Sequence, residues 1–166
     1  MYRTVQDFLD DWKYESEATL KIMHSLTDAS LGQKVMPEGR SLGFLAWHIV
    51  LTLGEMGGKT GLTVKCPAED TPQPSKAAEI AATYETAAKS VADDIRSKWT
   101  DSSLLDEVEM YGEKWKRGYA LSSLSAHQTH HRAQMTVLMR QAGLKVPGVY
   151  GPSREEWAQF GMPAPQ

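Results

Sequence analysis

Four long stretches of this 166-residue chain carry apolar residues at steps of three and four. That spacing gathers side chains on one face of an α-helix, and no stretch of similar length alternates as a half-buried strand does. The first stretch opens at Thr4, with Asp7 three residues on as a capping arrangement, and continues through Val5, Phe8, Leu9, Trp12, Leu20, Met23 and Leu26. The second starts behind Ser41, a good N-cap residue, and lines Phe44, Leu45, His48, Leu51, Thr52 and Glu55 along one side. Its expected end is the glycine-rich run GEMGGKTG. The third begins near Ser75 and carries Ile80, Tyr84, Ala87, Val91, Ile95 and Trp99. The fourth runs from about Tyr119 to Gln141, with Gly143 as its stop signal.

The segments between them are long. SLTDASLGQKVMPEGR separates the first two stretches, and CPAEDTPQPSK, with three prolines, precedes the third. Val108 and Met110 alternate with polar residues ahead of Gly112, which suits a short hairpin. After Pro152, Ser153 and Glu156 form a capping-box pair, so a short last helix is expected, with Trp157 and Phe160 docking on the body. The expected architecture is a single all-α domain over residues 1–166, a four-helix bundle with long connectors and a short C-terminal helix. Those connectors leave room for an order other than strict up-down-up-down.

A chain of this length buries roughly two-thirds of its unfolded surface, so it can hold a core without disulfides or a structural metal. The formal charge is -3 and no Lys/Arg run occurs, which argues against a duplex nucleic-acid binder. The single cysteine, Cys66, can form neither an internal disulfide nor a multi-thiolate zinc site, and reads as a loop thiol. The N-terminal stretch is amphipathic and acidic, unlike a signal peptide, and no apolar run approaches the roughly 20 residues that span a bilayer. A cytoplasmic protein that stays off membranes is the expectation.

Three of the five histidines fall within SAHQTHHRAQ, residues 125–134. With about 100° per residue and Leu124 as origin, Met135 and Leu138 define the inward stripe of the fourth helix. His131 lies about 20° from that origin, His127 about 60°, at the stripe's edge, and His130 about 120°, on a polar side with Gln134 and Gln141. His127 and His131 therefore form an inward H-x-x-x-H pair able to share one ion at about 2.0–2.1 Å. His48, set among apolar residues of the second helix, points to the same interior. A lone inward histidine is ordinarily a hydrogen-bonded core residue. Three of them from two helices bring many polar nitrogens inside, and one divalent cation satisfies them together. His130 reads as solvated or supporting, and His24 as a surface residue.

The segments PEGRSLGFLAWHI and SAHQTHHRAQMTVLMRQAGLKVPGVYGPSREEW resemble those of the DinB-like (DinB/YfiT) superfamily of metal-dependent proteins, which is distinct from the polymerase sharing the DinB name. The resemblance extends over nearly the whole chain and is carried by the order His48, long gap, His127, His131. It implies a four-helix bundle of unusual connection order, often a homodimer, holding a divalent ion, nickel or zinc among relatives, on three histidines. In this chain these are His48, His127 and His131. It further implies chemistry on a small-molecule substrate, including thiol transferases and isomerases that use low-molecular-weight thiols.

Three imidazoles leave an ion at least one open position, as in catalytic rather than structural zinc sites. The functional expectation is a metal-dependent enzyme that activates a thiol or a water, S-transferase-like or hydrolase-like. The alternative is a bundle that binds a metal or small ligand without catalysis. Glu55, seven residues after His48 and about 10 Å along the axis, is the candidate helper base, with a charge at a helix end as its ordinary role. Glu15 lies at the edge of the first stripe. Arg40 can meet an anionic substrate or stand as a surface arginine. Trp47, Tyr111, Trp115 and Tyr119 line a pocket or pack in core and loops.

Overall fold

The computed structural model describes residues 1–165. Four helices carry the fold: α1 (Val5–His24), α2 (Leu42–Lys59), α3 (Ala77–Lys98) and α4 (Arg117–Gln141). A hairpin of β1 (Glu107–Met110) and β2 (Glu113–Lys116) precedes α4, and single 3₁₀ turns occupy Asp28–Gly32, Asp101–Leu105 and Trp157–Phe160. The apolar stripes become one core. Phe8, Trp12, Ile22, Leu42, Ile49, Leu53, Ile80, Tyr84, Ile95, Leu121 and Met135 are all buried in it. None of the helices is long and apolar enough to cross a membrane.

Each helix packs on two others: α1 on α3 and α4, and α2 on α3 and α4, so α1 and α2 stand diagonally. Directions follow from cross-contacts. Near its start α1 meets the far end of α3, where Val5 N–H donates to Asp101, and further along Trp12 Nε1 donates to Ala88. The two are antiparallel. Tyr2 meets Ser125 while Thr19 meets Arg132, so α1 and α4 are parallel. His48 meets His127 while Arg117 reaches Thr60, so α2 and α4 are antiparallel. The bundle is thus up-down-down-up. Parallel neighbours α2 and α3 require the chain to travel back a full helix length, about 27 Å for the 18 residues of α2. Residues 60–76 do this in extended form, tied to α3 by Thr63 N–H on Asp94 and Lys65 N–H on Ser90 Oγ, and to α2 by Trp47 Nε1 on Thr71.

That connector explains a departure from the sequence expectation. α2 does end within GEMGGKTG, at Lys59 with Gly61 left-handed (φ 91°) just past the Thr60 cap, but Gly54 and Gly57 lie inside the helix. A Cβ on Gly54 would lie 2.9 Å from Cys66 Cβ and 3.0 Å from its Sγ, and one on Gly57 2.7 Å from Val64. They are small so that the returning connector can lie against the helix. Gly58 faces open space, and a Cβ there would meet nothing within 4 Å. Gly58→Ala is therefore expected to stabilise the fold by about 0.5–1 kcal/mol through helix propensity. Gly54→Ala should destabilise it, since overpacking costs about 1–3 kcal/mol. Paired urea unfolding curves check the opposite signs.

The hairpin forms as expected, with Val108 opposite Trp115 and Met110 opposite Glu113. Its two-residue turn puts Tyr111 at φ 54° and Gly112 at φ 83°, the left-handed pair that matches strand twist. The C-terminal helix is shorter than expected, a single 3₁₀ turn. Glu156 accepts the Ser153 and Gly148 backbone N–H groups, but Ser153 Oγ makes no return bond. Trp157 is half-buried, whereas Phe160 is exposed and does not dock. Trp47 packs in the core.

Candidate metal centre

His48, His127 and His131 converge where α2 faces α4. His127 Nε2 lies 3.2 Å from His48 Nε2 and 3.1 Å from His131 Nε2, and one ligand atom from each ring falls within 4.8 Å of the others. Two nitrogens each about 2.05 Å from a tetrahedral ion lie roughly 3.3 Å apart, so the spacing is close to a ligand set. His131 is 5% exposed, while His48 and His127 are half-buried. The centre therefore sits at the edge of the core. The α2 side carrying Phe44, His48 and Glu55 is this open edge: Phe44 is 44% exposed and stacks on His48 with ring centroids 5.9 Å apart. The core side of α2 is instead Leu42, Ala46, Ile49, Val50 and Leu53.

The donor chemistry favours a cation. His131 Nδ1 lies 2.8 Å from Gln134 Oε1, an acceptor, so Nδ1 carries the proton and Nε2 presents a lone pair to the cluster. A single proton on His127 Nε2 can satisfy only one of its two imidazole neighbours. One divalent ion satisfies all three lone pairs. Gln134 Nε2 in turn lies 3.1 Å from His130 Nε2, so the exposed His130 supports the amide and stands outside the three-histidine cluster. Loss of such an outer hydrogen bond ordinarily weakens metal binding about 10–100-fold. Gln134→Leu is expected to do so, read by competition with a chromogenic chelator, while its unfolding curve stays near the parent's.

Electrostatics keep the rings neutral. Burial, then the positive charge that neighbouring histidines would bring, holds His127 down to about 4. Burial also lowers His48 and His131, the latter against the opposing Gln134 hydrogen bond. In chelator-treated protein the unfolded chain, with histidines near their ordinary value of about 6.5, binds more protons than the native state. Stability should thus fall as pH drops from about 6.5 toward 4 and be flat in this respect above it. Thermal melts in EDTA across that range test the sign.

Glu55 is not brought into the cluster. Its carboxylate accepts from Tyr111 Oη at 2.7 Å and lies 3.6 Å from Lys59 Nζ, joining the hairpin to α2. Its charge is nonetheless felt at His48, where it opposes the downward shift. Tyr111, Trp115 and Tyr119 form an edge-to-face ladder beyond it, with centroids 5.9 and 4.9 Å apart. His24 is exposed, as expected. Cys66 is half-buried, with its Sγ 3.2 Å from Val50 O and its thiol pushed up by burial.

The helical projection overlooked a buried polar network on the other flank of α4. Arg132, 2% exposed, donates to Glu15 Oε2 at 2.7 Å, to Glu15 O and to Thr19 Oγ1, both at 3.0 Å. Tyr150 Oη donates to Glu15 Oε1, and Tyr84 Oη donates to Gln128 Oε1, both at 2.6 Å. This network ties α1, α3, α4 and the tail together. The available signal was the presence of long polar residues at Gln128 and Arg132 beside the apolar stripe.

Fold and site together define a helical bundle with an interhelical three-imidazole cluster of metal-ligand spacing. The DinB family sequence profile matches residues 1–165, and the chain belongs to the DinB family. It is 45% identical to the uncharacterized protein YrdA of Bacillus subtilis (strain 168), over 100% of this chain and 99% of that one. A crystal structure of a DinB-like protein from Bacillus cereus ATCC 10987 is 43% identical and superposes with a TM-score of 0.87, covering 90% of this chain and 100% of the other. The DinB-like protein YjoA of B. subtilis, at 16% identity and a TM-score of 0.68 over 86% of this chain and 96% of its own, shares the fold.

Proposed function

We propose that this protein is a divalent-metal-dependent enzyme acting on a small molecule, with His48, His127 and His131 as the ligands and nickel or zinc as the ion. The observation that supports it is the set of three Nε2 atoms drawn together at the open edge between α2 and α4. A bound divalent ion supplies Lewis acidity, which lowers the pKa of a thiol or water toward neutrality.

The chain's own residues do the remainder. The three imidazoles stay unprotonated at neutral pH, Gln134 fixes the His131 tautomer, and Phe44 covers one face of His48. In the thiol reading, the substrate thiol loses its proton, its sulfur forms a bond to an electrophilic carbon, and the displaced group leaves with the bonding pair. In the hydrolytic reading water takes the thiol's place. Glu55 enters as the carboxylate whose charge reaches His48, able to take a proton through water. Retained activity in Glu55→Gln would leave it only its tie to the hairpin. A homodimer belongs to the same proposal and is tested by light scattering.

The deciding experiment uses protein purified without a His-tag. Elemental analysis should find about one nickel or zinc per chain. A panel of thiols with a model electrophile, and of esters and amides, should show turnover that chelation abolishes and metal restores. Metal without turnover across the panel would favour a non-catalytic binding protein. Absence of metal would end the proposal.

A further inference from the structure

Beside the histidine centre runs a groove of about 350 Å³ between the loop that precedes α2 and the C-terminal half of α4. Its walls are apolar, from Val35, Met36, Leu45, Val137 and Leu138, and Val35, Met36 and Val137 are more than half exposed. Two polar side chains border it, Arg40 and Gln134. Gln134 is the residue that accepts from His131 Nδ1, so the groove and the centre share a wall.

Among the described residues no carboxylate lies within ion-pair distance of Arg40, whereas Arg96, Arg117, Arg132 and Arg140 each have one. Its guanidinium instead lies over the Phe44 ring, 5.3 Å from the centroid, and Phe44 stacks on His48 with planes 12° apart. A cation, a phenyl ring and an imidazole thus follow one another at i, i+4 and i+8 of the chain entering α2. With no carboxylate on it among the described residues, this guanidinium is the cation available in the groove to an incoming anion.

We infer that the groove takes a small organic anion, its carboxylate or similar group on Arg40 and its apolar body against Met36, Leu45, Val137 and Leu138. Guanidinium is suited to this, since its planar fork pairs with carboxylate oxygens two at a time. The inference rests on the proposed function only for what the other end of the ligand would reach. The anion subsite itself needs no metal.

The test uses hexanoate and its neutral counterpart hexanamide, titrated by NMR into full-length protein stripped with EDTA, so that the carboxylate cannot bind an ion. Hexanoate is expected to bind about two- to fivefold more tightly than hexanamide, the value of one ion pair on an exposed arginine. Arg40→Gln should abolish that difference. Val137→Asp, which leaves Arg40 intact and sets a like charge in the groove, should weaken hexanoate more than hexanamide. Equal binding of acid and amide, no binding of either, or an acid preference that survives in Arg40→Gln would overturn the inference. Metal content measured separately on untreated protein keeps the two ideas apart. A metal-free protein with an Arg40-dependent acid preference retains the subsite and loses the metal enzyme, and a metal-loaded protein without that preference does the reverse.

Discussion

His127→Ala should leave the protein folded and nearly empty of metal. His127 is the middle ring of the cluster, and so the middle ligand on the proposed reading: its Nε2 lies 3.2 Å from that of His48 and 3.1 Å from that of His131. Removing an outer supporting residue weakens a site about 10–100-fold, and loss of a direct ligand should exceed that. The ring is half-buried at the edge of the core, so its removal opens little internal volume. Taking away a poorly solvated, crowded imidazole also relieves the metal-stripped fold. Elemental analysis together with a thermal melt reads both effects. A variant with the parent's metal content would remove His127 from the ligand set.

Arg132→Met is expected to destabilise the protein by about 3–5 kcal/mol, the usual result of orphaning one member of a buried ion pair. Glu15 is 6% exposed and Arg132 2%, so no water can replace the lost guanidinium. Tyr150 and Thr129 still donate to the carboxylate, but neither carries charge. The double variant Glu15→Leu/Arg132→Met should recover much of the loss, because two apolar side chains leave no uncompensated charge. Guanidinium unfolding of the four proteins in this cycle gives the coupling directly. A single-variant cost below about 1 kcal/mol would place the pair among ordinary surface ion pairs.

The helices and the site were legible in the sequence to different depths. Periodicity located the four helices to within a few residues, because Phe8, Trp12, Ile80, Ile95, Leu124 and Met135 each repeat at the spacing of one buried face. The same logic ordered the fourth-helix histidines, with His131 buried, His127 at the edge and His130 exposed. It failed where burial is polar. Gln128 and Arg132 are buried because Tyr84 on α3 and Glu15 on α1 come to meet them, and hydropathy carries no record of a partner more than forty residues away. Of the glycines read as a helix stop, Gly61 serves as one, but Gly54 and Gly57 lie inside α2. Their function is to admit a connector whose path no local signal describes. Glu55 shared a helix face with His48, but its actual partner, Tyr111, arrives on a hairpin.

By itself the sequence determined the elements: where helices begin, which face of α1, α3 and α4 is apolar, and that His131 is buried with His127 at the edge of the same face. Those properties are local, set by neighbours within one or two turns. Only the tertiary structure decided that α1 and α2 stand diagonally, that residues 60–76 return the chain so that α3 runs parallel to α2, and that His48 thereby faces His127 and His131 across the antiparallel α2–α4 pair. Interhelical distances depend on packing between residues far apart in the chain, and it is that packing which turns separate imidazoles into one centre.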